Sequence, residues 1–536
     1  MKTIKGMSDY AQAIARMHLV STGIPYEDLD RPIIGVVNSW NEIVPGHVPL
    51  REIAEYVKKG IRNAGGLPLE FNTIAICDGI AQGHAGMRYA LPSRSLIADS
   101  IEAMVLGHDI FDGLVFVTAC DKITPAMLMA AARLNLPAVF VTSGPANTAA
   151  PASSKKEIRK KYLEGKINEK ELIMGSLDFY CGPGICPFLG TANTMLMVAE
   201  TLGLMLPYTS TIPFGVAGRS IASQMAGERI VELAQKGIRP SEFLTKEAFF
   251  NTIKVTLAVG GSLNTLLHLP AIAGEAGIGV SWEDFDRFSQ KVPHIAPVTP
   301  NGPYSVVNFH NAGGVPAVMK EIRHLLNLST ATVSGETTGE IVARAEVKNR
   351  DVIRPVTDPV HPEGGIAVLK GNLAPNGAIV KQSGVKEELR VFTGPARVFN
   401  SEEECVLALQ AGKVREGDVL VIRYEGPRGG PGMREMHRVT EFVSRFERVA
   451  IVTDGRFSGA SIGLSVGYLT PEAYEGGPIG LVEDGDEIAI NIPARELRLR
   501  VPEEDLRKRR ALWKPVEKAA TRFLQTYRDT YRDTQI

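Results

Sequence analysis

The chain has 536 residues, enough for about three ordinary domains of roughly 100–200 residues or two large ones. Its 59 Lys+Arg and 60 Asp+Glu leave a net charge of −1, which argues against a nucleic-acid partner or a membrane surface. A 44% hydrophobic and 22% charged composition supports a large core and excludes disorder.

The first third repeats one pattern: a short apolar run, a polar or Gly-rich loop, then a helical stretch. Ile33–Val37 leads into Asn38-Ser39-Trp40, and Thr73–Ile76 into Cys77-Asp78-Gly79. Leu114–Thr118 leads into Ala119-Cys120-Asp121-Lys122, and Ala138–Val141 into Thr142-Ser143-Gly144. Such runs alternating with helices predict an α/β fold with a parallel sheet covered on both faces. Ligands of such sheets bind beyond the carboxyl ends of the strands. After Cys120, Thr124 as cap and Pro125 at the first position predict a helix through Leu134. A helical middle follows, from about Thr191 to Leu328.

Three prolines and two glycines in Arg354–Gly365 mark a domain edge. The expected organisation is an N-terminal α/β domain over 1–355 and a β-rich, barrel-like domain over 356–536. Strands are predicted at Ala378–Lys381, Leu389–Thr393, Val419–Tyr424, Val449–Thr453 and Glu487–Ile492. One helix interrupts them, capped by Ser401 with Glu404 and closed by Gly412. The duplicated Thr-Tyr-Arg-Asp at 526–533 reads as a frayed end. The longest apolar run, Met195–Leu206, contains Glu200 and is too short to span a bilayer. Five cysteines, an odd number, do not make a disulfide scaffold, and no apolar leader follows Met1. A cytoplasmic setting is expected.

Two Cys-Asp pairs at neighbouring strand ends carry the strongest chemical signal. Thiolates are soft ligands for iron or zinc, and carboxylates are hard ligands for Mg²⁺ or Mn²⁺. Both in one crevice suggest two metal centres side by side. Cys181-Gly-Pro-Gly-Ile-Cys186 offers a further thiol. The spacing equally suits buried cysteines and strand-ending aspartates, because no C-x-x-C pair is present. Cys405, on the second-domain helix, is expected in the core. Asp454-Gly-Arg-Phe-Ser-Gly459 presents Ser458 among small residues, as a nucleophile, a base or a turn serine would require.

Three long strings together resemble the dihydroxy-acid/phosphogluconate dehydratase family: Cys120–Leu134, Gly190-Thr-Ala-Asn-Thr-Met195 and Thr453–Gly459. Pro471-Glu-Ala-Tyr-Glu-Gly-Gly477 adds to the likeness, which runs from Asn38 to Pro493. The resemblance implies a hydro-lyase that turns a small 2,3-dihydroxy acid into a 2-oxo acid. It implies an iron–sulfur cluster, [2Fe-2S] or [4Fe-4S], held by Cys120 and Cys186. It also implies Mg²⁺ held by Asp78, Asp121 and Glu435, with Lys122 carbamylated to reach the cation, and Ser458 as the base at C2. Relatives of this kind are homodimers or homotetramers.

Where branched-chain members of the family carry a further cluster cysteine, this chain has Pro45-Gly46-His47. Cys77, adjoining Asp78, is the expected third thiolate and Cys181 the reserve. Leu263 replaces a threonine usual in the family and is expected to reshape the substrate pocket. Gly86–Arg94 and Gly459–Val466 are similar to the branched-chain enzymes, which act on 2,3-dihydroxy-3-methylbutanoate and its methylpentanoate homologue in valine and isoleucine synthesis. Pro183–Asn193, Glu435–Arg438 and Thr470–Tyr474 are similar to the sugar-acid branch, which would take gluconate-like substrates. His437 could touch a sugar hydroxyl or cap a turn, and His47 and His84 lie near the metal loops. Rival readings are a non-catalytic iron–sulfur sensor and a zinc hydrolase.

Overall fold

In a computed structural model the described residues are 9–457 and 463–530. Four strands form the first sheet: β1 (Ile33–Asn38), β2 (Leu67–Asn72), β3 (Gly113–Thr118) and β4 (Ala138–Thr142), ordered β2-β1-β3-β4 and all parallel. β1, β3 and β4 are buried at every residue, as their unbroken apolar runs require. The strand order reverses between β1 and β3, so the crevice beyond their carboxyl ends is a topological switch point.

β2 lies earlier than the apolar run Thr73–Ile76 suggests. It is the edge strand, half-exposed with alternating burial, so Leu67, Leu69 and Phe71 interleave with Pro68 and Glu70. Thr73–Ile76 is instead the coil that carries the chain from the sheet to Cys77. The helix after Cys120 spans Ile123–Leu134, with Lys122 in the cap position. Thr124 does not cap it; its hydroxyl lies 3.1 Å from that of Thr118 inside the core.

The second sheet has eight strands: β5 (Ala367–Leu369), β6 (Gly377–Val380), β7 (Val391–Phe399), β8 (Val419–Ile422), β9 (Ala450–Thr453), β10 (Leu464–Thr470), β11 (Glu487–Asn491) and β12 (Glu496–Leu499). Their order is β12-β11-β7-β8-β9-β10-β6-β5. β7 to β10 run parallel, whereas the flanking pairs are antiparallel. A bridge between Lys370 and Glu496 draws the two outer strands together and nearly closes a barrel. Side-chain alternation puts Val419, Val421, Ala450 and Val452 in the barrel's own core. Leu420, Ile422 and Ile451 join the core that continues into the helices and strands around the first sheet, termed the first lobe. Both faces are therefore apolar, which explains the continuous hydrophobic runs.

Cys405 is fully buried on Glu402–Gln410, and Ser401 caps that helix by accepting from the Glu404 amide. The first Thr-Tyr-Arg-Asp, 526–529, lies on a docked helix, contrary to the frayed end expected of it, while residues 531–533 of the second lie outside the described residues. Leu524 and Tyr527, on the helix Arg522–Thr530, are buried. Lys518 pairs with buried Glu425 at 3.0 Å, while Phe523 stacks on Tyr89 of the first lobe at 5.9 Å. The segment therefore straps one lobe to the other.

The barrel seam admits no side chain at Gly371, where a Cβ would lie 2.1 Å from the Leu497 carbonyl oxygen. Gly371→Ala should cost about 1–3 kcal/mol through overpacking, read as a lower urea midpoint. An unchanged midpoint would mean that the seam yields freely.

Candidate active site

Parallel strands from both sheets aim their carboxyl ends at one place. The first lobe contributes the loops after β2 and β3, carrying Cys77-Asp78 and Cys120-Asp121-Lys122. The barrel contributes the loop after β8, carrying Glu435, and the loop after β9, carrying Arg456. Buried carboxylates hold these barrel loops in place. Asp454 accepts from the amides of Tyr424 (3.0 Å), Glu425 (2.9 Å) and Ala473 (2.9 Å). Glu472 accepts from the amides of Arg428 (2.9 Å) and Gly429 (2.8 Å).

Oxygen atoms of Asp78, Asp121 and Glu435 lie within 4.8 Å of one another. The fully buried Lys122 Nζ sits among them, 2.7 Å from Asp78 Oδ2, 3.7 Å from Glu435 Oε2 and 3.8 Å from Asp121 Oδ2. Glu435 also receives the Arg456 guanidinium and, at 3.1 Å, the Asn264 amide. Burial raises the Asp121 carboxyl to about 7, and Asp78 adds to the rise. At Glu435, burial acts in the same direction, but Arg456 and Lys122 outweigh it and hold the carboxyl below its usual range. Asp78 Oδ1 is buried with no hydrogen-bond partner among the described residues. A site of convergent hard oxygens, crowded by like charge and with one oxygen unsatisfied, fits a small divalent cation such as Mg²⁺.

Cys77, Cys120 and Cys186 line the same cavity as these carboxylates, a cleft of about 960 Å³ between the lobes. Burial pushes the Cys120 thiol well above its ordinary range, with Cys77 and Asp121 adding to the effect. Burial raises Cys77 too. Cys120 is held in the left-handed region (φ 66°), and a Cβ at Gly46 would lie 2.7 Å from its sulfur. Position 46 thus faces the thiols, although here it brings no sulfur, and Cys77 supplies one from the neighbouring strand end. Three soft donors around one cavity fit an iron–sulfur group. Cys181 does not line the cavity; its sulfur accepts from the Ala149 amide and donates to the Asp178 carbonyl, each at 3.1 Å.

His437 lines the cavity and pairs with Glu441 at 3.4 Å. His84 is structural: its Nδ1 accepts from the Gly86 amide, capping a short 3₁₀ turn. His47 is fully buried, its Nδ1 donating to the Ser39 carbonyl at 2.8 Å, and burial lowers its pKa to about 4. Leu263 is a core residue, not one of the cavity's lining. Ser458 lies outside the described residues, two positions beyond Arg456. Sequence reading missed Asn264, Arg456 and Tyr468, which meet in the fold from far apart along the chain. The signal available was a charged or amide residue inside apolar, glycine-rich surroundings, as in Gly-Gly-Ser-Leu-Asn264.

Among the described residues, no helix is long and apolar enough to cross a membrane. The family model for the dihydroxy-acid/6-phosphogluconate dehydratase N-terminal region matches residues 31–341, and the C-terminal counterpart matches 351–535. The dihydroxy-acid dehydratase of Ignicoccus hospitalis is 51% identical over 514 residues, covering 94% of this chain and 93% of that protein. That of Pyrococcus furiosus is 50% identical over 517 residues, with 94% and 93% covered. That of Methanococcoides burtonii is 47% identical over 531 residues, with 97% and 96% covered.

Thiol reactivity should follow this geometry. In metal-free protein at mildly alkaline pH, iodoacetamide should label exposed Cys181 and Cys186, while buried Cys405 stays unmodified until the chain unfolds. Peptide mass spectrometry reads the order; early labelling of Cys405 would contradict the packing.

Proposed function

We propose a function that starts from family membership: the chain belongs to the dihydroxy-acid/6-phosphogluconate dehydratase family. The protein is a hydro-lyase that converts a 2,3-dihydroxy acid into the 2-oxo acid. The observation that carries this reading is the convergence of three carboxylates, drawn from both lobes, with three thiols on one cavity. In it, residues 1–355 bind the cluster and most of the cation site, and residues 356–536 bring Glu435 and Ser458.

Asp78, Asp121 and Glu435 would hold Mg²⁺, and Cys77, Cys120 and Cys186 the iron–sulfur cluster. When bound, these groups supply Lewis acidity for the departing hydroxyl and positive charge for the substrate's carboxylate and C2 oxygen. Carbamylation would turn the Lys122 amine, 2.7 Å from Asp78, into a further oxygen donor facing the cation. Ser458 takes the proton from C2 as the C3–OH bond breaks, and passing that proton to the departing hydroxide lets water and an enol leave and restores the base. The enol then gains a proton at C3 and loses one from its C2 hydroxyl to become the 2-oxo acid. A serine hydroxyl is a weak base, so this role requires positive charge that favours the alkoxide.

The branched substrate, 2,3-dihydroxy-3-methylbutanoate with its methylpentanoate homologue, is the first reading. Met87, Phe179, Phe188, Ala192 and Pro300 give the cavity an apolar wall suited to methyl groups. The relatives reported above are named dihydroxy-acid dehydratase. Such a substrate places the enzyme in valine and isoleucine synthesis.

Under anaerobic conditions with Mg²⁺, 2-oxo acid should form faster from dihydroxymethylbutanoate than from gluconate at equal concentration. Faster turnover of gluconate would move the enzyme to sugar-acid breakdown. Ser458→Ala should lower turnover by about a thousandfold and leave iron content unchanged. Retained activity in that variant would exclude Ser458 as the base.

A further inference from the structure

Asn264 stands at the start of the helix Thr265–Glu275 in the first lobe, fully buried. All four of its amide bonds are made. Its Nδ2 donates to Thr191 Oγ1 at 2.9 Å and to Glu435 Oε2 at 3.1 Å. Its Oδ1 accepts from Arg456 Nη1 at 3.1 Å and from the Tyr468 hydroxyl at 2.7 Å. The partners settle which way the amide points: a guanidinium can only donate, and an ionised carboxylate can only accept. Three of these partners belong to the barrel and one to the first lobe, so a single side chain ties the lobes together at the site.

Arg456 strengthens the same junction. Its guanidinium meets Glu435, its Nε donates to the Met433 carbonyl at 2.7 Å, and its own carbonyl accepts from the Met436 amide at 2.9 Å. Side chain and backbone of the Glu435 loop are thus both held from Arg456. Tyr468, buried with a left-handed backbone (φ 59°), spends its hydroxyl on Asn264. Glu435 Oε2 therefore meets two fixed donors, the Asn264 amide and the Arg456 guanidinium, in addition to its approach to Lys122.

We infer that Asn264 is a positioning residue. Through Arg456 and Tyr468 it sets the register between the lobes, and so fixes the carboxylate of Glu435 opposite Asp78 and Asp121 for the divalent cation. This rests on the reading of Glu435 as a cation ligand. Glu435 alone among the three carboxylates reaches the site from the barrel, so any slip between lobes is felt there first. A carboxylate held by fixed donors also pays less ordering entropy when the cation binds.

The test is an anaerobic titration of the iron-loaded protein with Mn²⁺ alone, following the electron paramagnetic resonance signal of the free ion. Iron content and melting temperature are measured on the same samples. Asn264→Ala should bind Mn²⁺ about tenfold or more weakly, as loss of a ligand's outer partners generally does, with iron content retained. Tyr468→Phe removes one bond and leaves Asn264 tied to Arg456, so its affinity should fall by a smaller factor, about two- to threefold. A folded Asn264→Ala protein with wild-type Mn²⁺ affinity overturns the inference, whatever its melting temperature. If that variant does not fold, unchanged affinity in Tyr468→Phe overturns it. Glu435→Gln separates this from the reading beneath it: wild-type Mn²⁺ affinity in that variant would mean that Glu435 is no ligand at all.

Discussion

Like charge crowded into a buried space is the constraint around which this molecule is arranged. Asp78, Asp121 and Glu435 bring oxygens within 4.8 Å of one another, and such carboxylates repel unless cations stand among them. Lys122 and Arg456 supply part of that compensation from opposite sides, one from each lobe. The residual strain is visible in Asp121, whose carboxyl rises to about 7, and in the unsatisfied Asp78 Oδ1. A divalent cation answers both. The same logic holds for the thiols beside them: Cys77 and Cys120 are raised by burial, and a metal favours the thiolate that burial disfavours.

The fold meets this constraint with one device used twice. In each lobe, parallel strands end at the cleft, and the loops leaving those ends carry residues that line it. The first lobe supplies its Cys-Asp pairs from the loops after β2 and β3, which flank β1 at the switch point. The barrel supplies Glu435 and Arg456 from the loops of its parallel half, while its antiparallel strands close the wall behind. Neither half holds the complete set, so the register between lobes matters as much as either fold. A continuous apolar core, the buried amide of Asn264 and the docked C-terminal segment each contribute to it.

Much of this could be read from residues alone, for identifiable reasons. β1, β3 and β4 are buried on both faces, so their runs are unbroken and the strand ends next to Cys120 and Ser143 were plain. β2 was misplaced because an edge strand is half wet and its pattern includes Pro68 and Glu70. β10 escaped notice because Leu-Ser-Val-Gly-Tyr-Leu-Thr mixes polar and small residues into a fully buried strand. The chemistry of the site was readable where ligands sit side by side, as in Cys77-Asp78 and Cys120-Asp121. It was not readable where partners lie far apart: Asn264 and Arg456 are separated by 192 positions and Asn264 and Tyr468 by 204. The docking of the C-terminal segment was hidden for a similar reason, since Tyr89 and Phe523 sit at opposite ends of the chain.

The central claim is that two different metal centres share one cleft, each with its own set of donors. Anomalous diffraction from anaerobic crystals soaked in Mn²⁺, collected at the iron and manganese edges, tests it most directly. The prediction is an iron peak among Cys77, Cys120 and Cys186 and a separate manganese peak among Asp78, Asp121 and Glu435. Manganese bound away from those three carboxylates, or iron away from those three sulfurs, would contradict it.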